Sequence, residues 1–304
     1  MRVFVTGASG FIGSAVVAEL LSAGHHVVGL ARSDESAAAI AGLGAEVHRG
    51  DLEDLDGLRA AAATSDGVIH LGFVHDFSRY DDSVRIDAQA VETLGGALGG
   101  SDRPFVIASG VAALRDGDAP ATERDRPHPD FPRTPAALRT ISFAELGIRS
   151  SVVRLPPTVH GEGDHGFVPT LIDIARAKRA SGYIGAGSNR WPAVHRLDAA
   201  HLFRLALENA AAGSVLHAID DEGVATRDIA EVIGRHLDVP VVSIDPDDAA
   251  LHFGWLATFF AVDAPASSEL TRELLDWNPT QPRLIDDLDK GHYFDSTSTG
   301  LNLG

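Results

Sequence analysis

Glycines at positions 7, 10 and 13, in the run Thr6-Gly7-Ala8-Ser9-Gly10-Phe11-Ile12-Gly13, have the type and separation that a pyrophosphate-binding turn needs. The first permits a tight turn, the second a close approach of the phosphates, and the third close packing of a helix on a strand. The backbone of Gly7, Ser9, Gly10, Phe11, Ile12 and Gly13, at the positive end of a helix, then holds the phosphates without a lysine. Such a triplet carries weight only between a strand and a helix. Both are present: Arg2–Thr6 is a β-branched run, and Ile12–Ala23 places Val16, Leu20 and Leu21 on one side before Gly24. About 20 residues beyond such a loop, an acidic side chain takes a ribose 2′-hydroxyl, whereas an arginine accommodates a 2′-phosphate. Here the chain reads Leu30-Ala31-Arg32-Ser33-Asp34. The planar fork of Arg32 suits a phosphate dianion and Ser33 adds a donor, so NADP(H) is expected ahead of NAD(H). The alternative is a solvated Arg32 with Asp34 on the ribose.

Three further loops carry titratable groups. In Phe73-Val74-His75-Asp76-Phe77, a histidine beside a carboxylate is a candidate general acid, with Asp76 a candidate substrate contact. Neighbours on extended chain point opposite ways, so the two need not cooperate. His160-Gly161-Glu162-Gly163-Asp164-His165-Gly166 holds two histidines and two carboxylates, a donor set chemically adequate for zinc. Its spacing matches no metal signature, so no metal is assigned and the segment reads as a substrate loop. In Asn189-Arg190-Trp191-Pro192-Ala193-Val194-His195, Arg190 and Trp191 suit a planar or anionic substrate, and His195 is a third candidate acid. The competing reading has Trp191 packing a lobe interface and His195 buried and hydrogen-bonded.

The elements that must position these residues follow a regular rhythm. Short apolar runs at His26–Ala31, Val68–Leu71, Phe105–Ala108 and Ser151–Leu155, with Val47 leading into Asp51-Leu52, alternate with helical stretches at Leu55–Ala63 and Val84–Leu98. Strand and helix in alternation predict parallel strands joined by right-handed crossovers. Asp116–Pro135 breaks the rhythm and reads as a surface segment or lid. Beyond Pro156 helices are expected at Val168–Arg179, Ala199–Glu208, Thr226–Leu237, Asp247–Phe260 and Ser268–Leu275, with a small strand at Val241–Ile244. The fold class is therefore α/β, a Rossmann-like doubly wound parallel sheet with a smaller, mostly helical carboxy-terminal substrate lobe. The division is 1–155 for the dinucleotide half, whose sheet can take later strands, 156–295 for the lobe, and 296–304 for a loose tail.

Composition narrows the function classes. The 304 residues carry 25 Lys and Arg against 43 Asp and Glu, a formal charge of −18. That charge disfavours nucleic acid and anionic membrane as partners. Cysteine is absent, which removes disulfides, thiolate metal sites and cysteine nucleophiles. No apolar run approaches the roughly 20 residues of a membrane helix. The amino end starts a strand without the layout of a signal peptide, so a cytoplasmic protein is expected.

Taken with Gly7, Gly10, Gly13, Arg32, Asp51-Leu52 and Ser109, the chain resembles the short-chain dehydrogenase/reductase superfamily, nearest to its extended branch of epimerases and dehydratases. The resemblance implies that Asp51-Leu52 contacts adenine, that Leu71-Gly72-Phe73 runs along the cofactor past His75, and that Ser109 occupies the catalytic-serine position. Arg154-Leu155-Pro156-Pro157-Thr158-Val159-His160-Gly161 is similar to the family's Arg-Pro…Val-Tyr-Gly segment near the nicotinamide, placing Pro156 there and His160 in the tyrosine's place. Val194-His195-Arg196-Leu197-Asp198 is similar to its Val-His-Val-x-Asp segment. One feature departs. The family's Tyr-x-x-x-Lys pair, in which the lysine lowers the pKa of the proton-exchanging tyrosine, has no counterpart: the tyrosines are Tyr80, Tyr183 and Tyr293 and the lysines Lys178 and Lys290. The expectation is an atypical NAD(P)(H)-dependent oxidoreductase acting on a small organic substrate, the proton handled by His75, His160, His195 or water, with Ser109 binding substrate oxygen. A non-catalytic dinucleotide sensor and a lyase or isomerase are the alternatives. The resemblance also implies a homodimer.

Overall fold

In the computed structural model, which describes residues 1–74, 79–111, 114 and 119–295, the amino-terminal run forms β1 (Arg2–Thr6). Val3 and Val5 face one core and Phe4 the other, the period-two alternation of a strand covered on both sides. The chain continues through α1 (Phe11–Ser22), β2 (His26–Ala31), α2 (Asp34–Gly42), β3 (Glu46–Arg49), α3 (Leu55–Ala63), β4 (Gly67–His70), α4 (Tyr80–Ala97), β5 (Pro104–Gly110), α5 (Thr134–Ser142) and β6 (Arg149–Leu155). The alternation expected from the sequence is present, with α2 in addition. That short helix starts from a reciprocal bond between Ser33 and Ser36, with Asp34 and Glu35 in its first turn facing the positive end of the helix dipole. α4 begins earlier than its apolar pattern does, because its first turn is polar, with Asp81 and Asp82 stabilised in the same way.

Beyond β6 come β7 (Thr158–His160), α6 (Phe167–Lys178), β8 (Ser181–Ile184), β9 (Arg190–His195), α7 (Arg196–Asn209), β10 (Ser214–His217), β11 (Asp221–Ala225), α8 (Thr226–Leu237), β12 (Val241–Ile244), α9 (Ala249–Phe253), α10 (Ala257–Phe260), α11 (Glu269–Leu275) and α12 (Leu284–Asp289). The main sheet has seven parallel strands in the order β10-β6-β5-β4-β1-β2-β3. Its order reverses between β1 and β4, and that switch point opens the crevice in which such sheets take ligands. One face is packed by α1 and α7, with Val16, Leu20, Phe203 and Leu207 buried; the other by α3, α4 and α5, with Leu58, Leu94 and the nearby Phe143.

The carboxy-terminal lobe contains more strand than expected. β7 and β11 flank β9 in one small sheet, and β8 pairs with β12 in another. β9 is buried at five of its six positions, so it lacks the alternation that marks a half-exposed strand. The helix expected over Asp247–Phe260 is broken at Gly254, whose φ of +60° belongs to a left-handed turn, leaving α9 and α10. Part of the segment expected as a lid is strapped down. Ala121 exchanges backbone hydrogen bonds with the Pro265–Ser267 stretch, and the buried Glu123 accepts from the Thr271 amide and hydroxyl at 2.8 and 2.6 Å. The tail at 296–304 lies outside the described residues. Among those described, no helix is long and apolar enough to cross a membrane.

Candidate active site

The turn between β1 and α1 is built around two positions where a side chain has no room. Gly7 has φ +68°, and a Cβ there would lie 2.8 Å from the Gly72 nitrogen. A Cβ on Gly13 would lie 1.9 Å from the Gly7 carbonyl oxygen, so helix and loop approach as only glycine allows. Gly10 caps α1 without a side-chain bond, and no acidic residue sits in its first turn. The amides at this helix end are therefore offered outward with the positive dipole behind them, a cradle that fits a pyrophosphate. Ser9 and Gly10 are exposed, while Phe11 and Ile12 are half-buried. Two lobe residues reach the same loop: the Arg196 guanidinium lies 5.1 Å from the Phe11 ring centre and the His165 ring 5.8 Å from it. Neither had a local sequence signal for this contact, because Arg196 begins α7 and His165 precedes α6.

On the β2 side of the crevice, Arg32 leaves the strand exposed, with no carboxylate partner among the described residues. Ser33 caps α2. Asp34 points to solvent and is held at 2.8 Å by Arg49, at the end of β3, which also donates to the Ser33 carbonyl at 2.5 Å. Asp51 accepts from the Glu53 and Asp54 amides, and the Leu52 side chain lies close against Gly72.

On the β4 side, Leu71, Gly72 and Phe73 follow the strand, and the Gly72 amide donates to Thr6 Oγ1 at 3.0 Å. A buried polar chain starts there. Thr6 Oγ1 is 2.7 Å from His70 Nδ1, His70 Nε2 is 3.3 Å from Asp87 on α4, and Asp87 accepts from Arg133 at 3.2 and 3.3 Å. Burial pushes the Asp87 carboxyl up, but the His70 bond and the Arg133 charge more than reverse it and hold it below its ordinary value. Arg133 also donates to the Ala108 carbonyl and lies over the Phe73 ring at 4.6 Å. Ser109 follows Ala108 at the end of β5, half-buried and in register with Arg154 on β6. Pro156 is buried just beyond β6. His75 and Asp76 lie outside the described residues.

The other candidates are committed to packing. His160, 1% exposed, pairs through Nδ1 with Asp287 of α12 at 2.9 Å and meets the His195 ring edge-on at 5.3 Å. His195 accepts the Leu197 amide at Nδ1 as the cap of α7; burial first, then the neighbouring His160, pulls its pKa to about 4, so its imidazole is neutral at pH 7. Trp191 is 1% exposed and packs between Phe167 and Phe260, which leaves it no face for a substrate. Arg190 forms a two-pronged pair with Asp263 at 3.0 Å. These two side chains tie β9 into the lobe rather than lining the crevice. Arg154 donates to the Asp125 carbonyl and lies 3.3 Å from His217, both side chains buried at the carboxyl edge of the sheet.

Comparison with known proteins agrees with this architecture. An uncharacterized protein of Schizosaccharomyces pombe is 50% identical over 97% of this chain and 100% of its own length. The 4-hydroxy-2-methyl-3-oxo-4-farnesyl-3,4-dihydroquinoline-1-oxide ketoreductase of Stigmatella aurantiaca is 30% identical over 88% of this chain and 84% of its own. The crystal structure of DesIV, a dTDP-glucose 4,6-dehydratase of Streptomyces venezuelae, superposes with a TM-score of 0.78 at 18% identity over 97% of both chains, a likeness of fold. The profile described as the NAD dependent epimerase/dehydratase family matches residues 3–219, and the chain belongs to that family.

Proposed function

We propose that this protein is an NADP(H)-dependent oxidoreductase acting on a small organic substrate. The observation that carries the reading is the glycine cradle with two guanidiniums, Arg32 and Arg49, at its β2–β3 end. Asp34, the group that competes for a ribose hydroxyl, is neutralised by Arg49. A 2′-phosphate placed there meets positive charge, and Arg32 has no carboxylate partner among the described residues. When bound, the reduced dinucleotide supplies a hydride. The chain's own part is to hold the pyrophosphate on the α1 amides, to orient the ring end past Gly72 and Phe73, and to present Ser109 to a substrate oxygen. The Stigmatella relative's name, a ketoreductase, agrees with reduction as the direction.

The test is a fluorescence titration of the cofactor-stripped protein with NADPH and, separately, NADH. NADPH-preferring binding that Arg32→Ala weakens selectively supports the reading. Equal affinity for the two, unchanged in that variant, removes the phosphate preference. Binding of neither removes the oxidoreductase reading.

A further inference from the structure

A dinucleotide with its adenosine end at Arg32 and its pyrophosphate on α1 has its other half over the carboxyl ends of β4 and β5. Three side chains meet at those ends, and Ser109 lies near them. Phe73 follows β4, Tyr80 opens α4, Arg133 precedes α5, and Ser109 is the last residue but one of β5. Phe73 is the shared neighbour: Arg133 lies 4.6 Å from its ring centre, and the Tyr80 ring 6.1 Å from it. Arg133 is fixed by Asp87 and by the carbonyl of Ala108, the residue before Ser109, and its side chain keeps 22% of its exposure. α5 itself, Thr-Pro-Ala-Ala-Leu-Arg-Thr-Ile-Ser, offers neither tyrosine nor lysine.

We propose that Tyr80 is the proton donor of this site and that Arg133 is the cation stabilising its phenolate, which makes the substrate a carbonyl compound. The assignment rests on the oxidoreductase reading above. The carbonyl carbon accepts the hydride, the C=O π pair moves onto oxygen, and that oxygen takes the Tyr80 proton to give an alcohol. The phenolate left beside Arg133 recovers a proton from water, so one proton and one reduced dinucleotide are consumed per carbonyl. Burial pushes the phenol pKa up, so the donor stays protonated at neutral pH, while the Arg133 charge draws it back down and Asp87 raises it. The histidines described above are poorer donors, since His160 is bound to a buried carboxylate and His195 is neutral. Arg133 acts through Tyr80 and is a positioning residue.

Tyrosine labelled with 13C at Cζ tests this without a turnover assay, because the chain has three tyrosines and Tyr80→Phe identifies one signal. The intact protein is titrated from neutral to alkaline pH alone and with saturating NADP+, whose binding is measured independently by calorimetry. The positive nicotinamide of bound NADP+ is expected to lower the Tyr80 ionisation by about one pH unit or more, with Tyr183 on β8 as the unaffected control. In the free protein Arg133→Lys, which keeps a cation beside Asp87, is expected to leave the Tyr80 ionisation nearly where it is, and Arg133→Gln to raise it. NADP+ that binds while leaving the Tyr80 titration unmoved overturns the assignment and spares the cofactor reading. Binding of neither NADP+ nor NAD+ overturns both.

Discussion

Arg133, one residue ahead of α5, donates from Nε and Nη2 to the Asp87 carboxylate at 3.3 and 3.2 Å, and that carboxylate is 1% exposed. The pair connects the head of α5 to α4 and, through His70 and Thr6, to the turn that follows β1. Each member has a consistent role: the Thr6 hydroxyl donates to His70 Nδ1 and accepts the Gly72 amide, and His70 Nε2–H donates to Asp87. Satisfied in this way, a buried network holds one geometry; cut in one place, it leaves a charge stranded.

Asp87→Ala is therefore expected to destabilise the protein by about 3–5 kcal/mol, because the half-buried Arg133 loses its partner. Urea unfolding measures it, and a loss below about 1 kcal/mol would place the pair among ordinary surface bridges. The acid limb carries the matching sign. The folded pKa of Asp87 is depressed, so its contribution is present above the unfolded value of about 3.9 and disappears as pH falls through the depressed one.

Gly13→Ala tests the cradle. Its new Cβ would stand 1.9 Å from the Gly7 oxygen, and backbone cannot yield as a side-chain tip can. The expected result is a melting temperature lowered by the equivalent of about 1–3 kcal/mol, with dinucleotide binding lost. Binding at wild-type affinity would falsify the placement of the phosphates.

Arg49→Ala is expected to act at the other end. It removes one guanidinium and frees the Asp34 carboxylate, so NADPH affinity should fall about tenfold, or 1.4 kcal/mol, while NADH affinity holds or rises. Parallel titrations of the two nucleotides read the difference, and an equal loss for both would mean that Arg49 supports the fold alone.

Between pH 7 and 4 the stability should fall through two buried imidazoles. His195, at about 4, and His217, also pulled down by burial, stay neutral in the folded state while the unfolded chain takes up protons below about 6.5. Asp164 has the opposite sign. Burial raises it to about 6, so the folded state binds its proton first and gains stability as pH falls from 6 towards 4. Thermal melts of Asp164→Asn across this range should show a steeper acid loss than wild type. A shallower one would mean that Asp164 is ionised throughout.

Whatever consecutive residues encode can be read from the chain alone. The glycine turn lies inside seven residues, and the buried strands β1, β2, β4, β5 and β6 are apolar runs with turn signals at their ends, so the parallel α/β sheet was legible from local pattern. The lobe's strands were not, because β9 is buried on nearly all sides and shows no period. Trp191 stays open between a substrate and a packing reading in the sequence, because an aromatic's type says nothing about which surface covers it; Phe167 and Phe260 do. The polar partners were set by the packing of distant elements. His160 meets Asp287 from 127 residues away, Asp87 meets Arg133 from 46, and Tyr80 comes to Phe73 across the gap between β4 and α4. Hydrophobic period is a property of neighbours along the chain, whereas a buried charge is placed by whichever crossover brings its counter-charge within about 4 Å, and no local spacing records that choice.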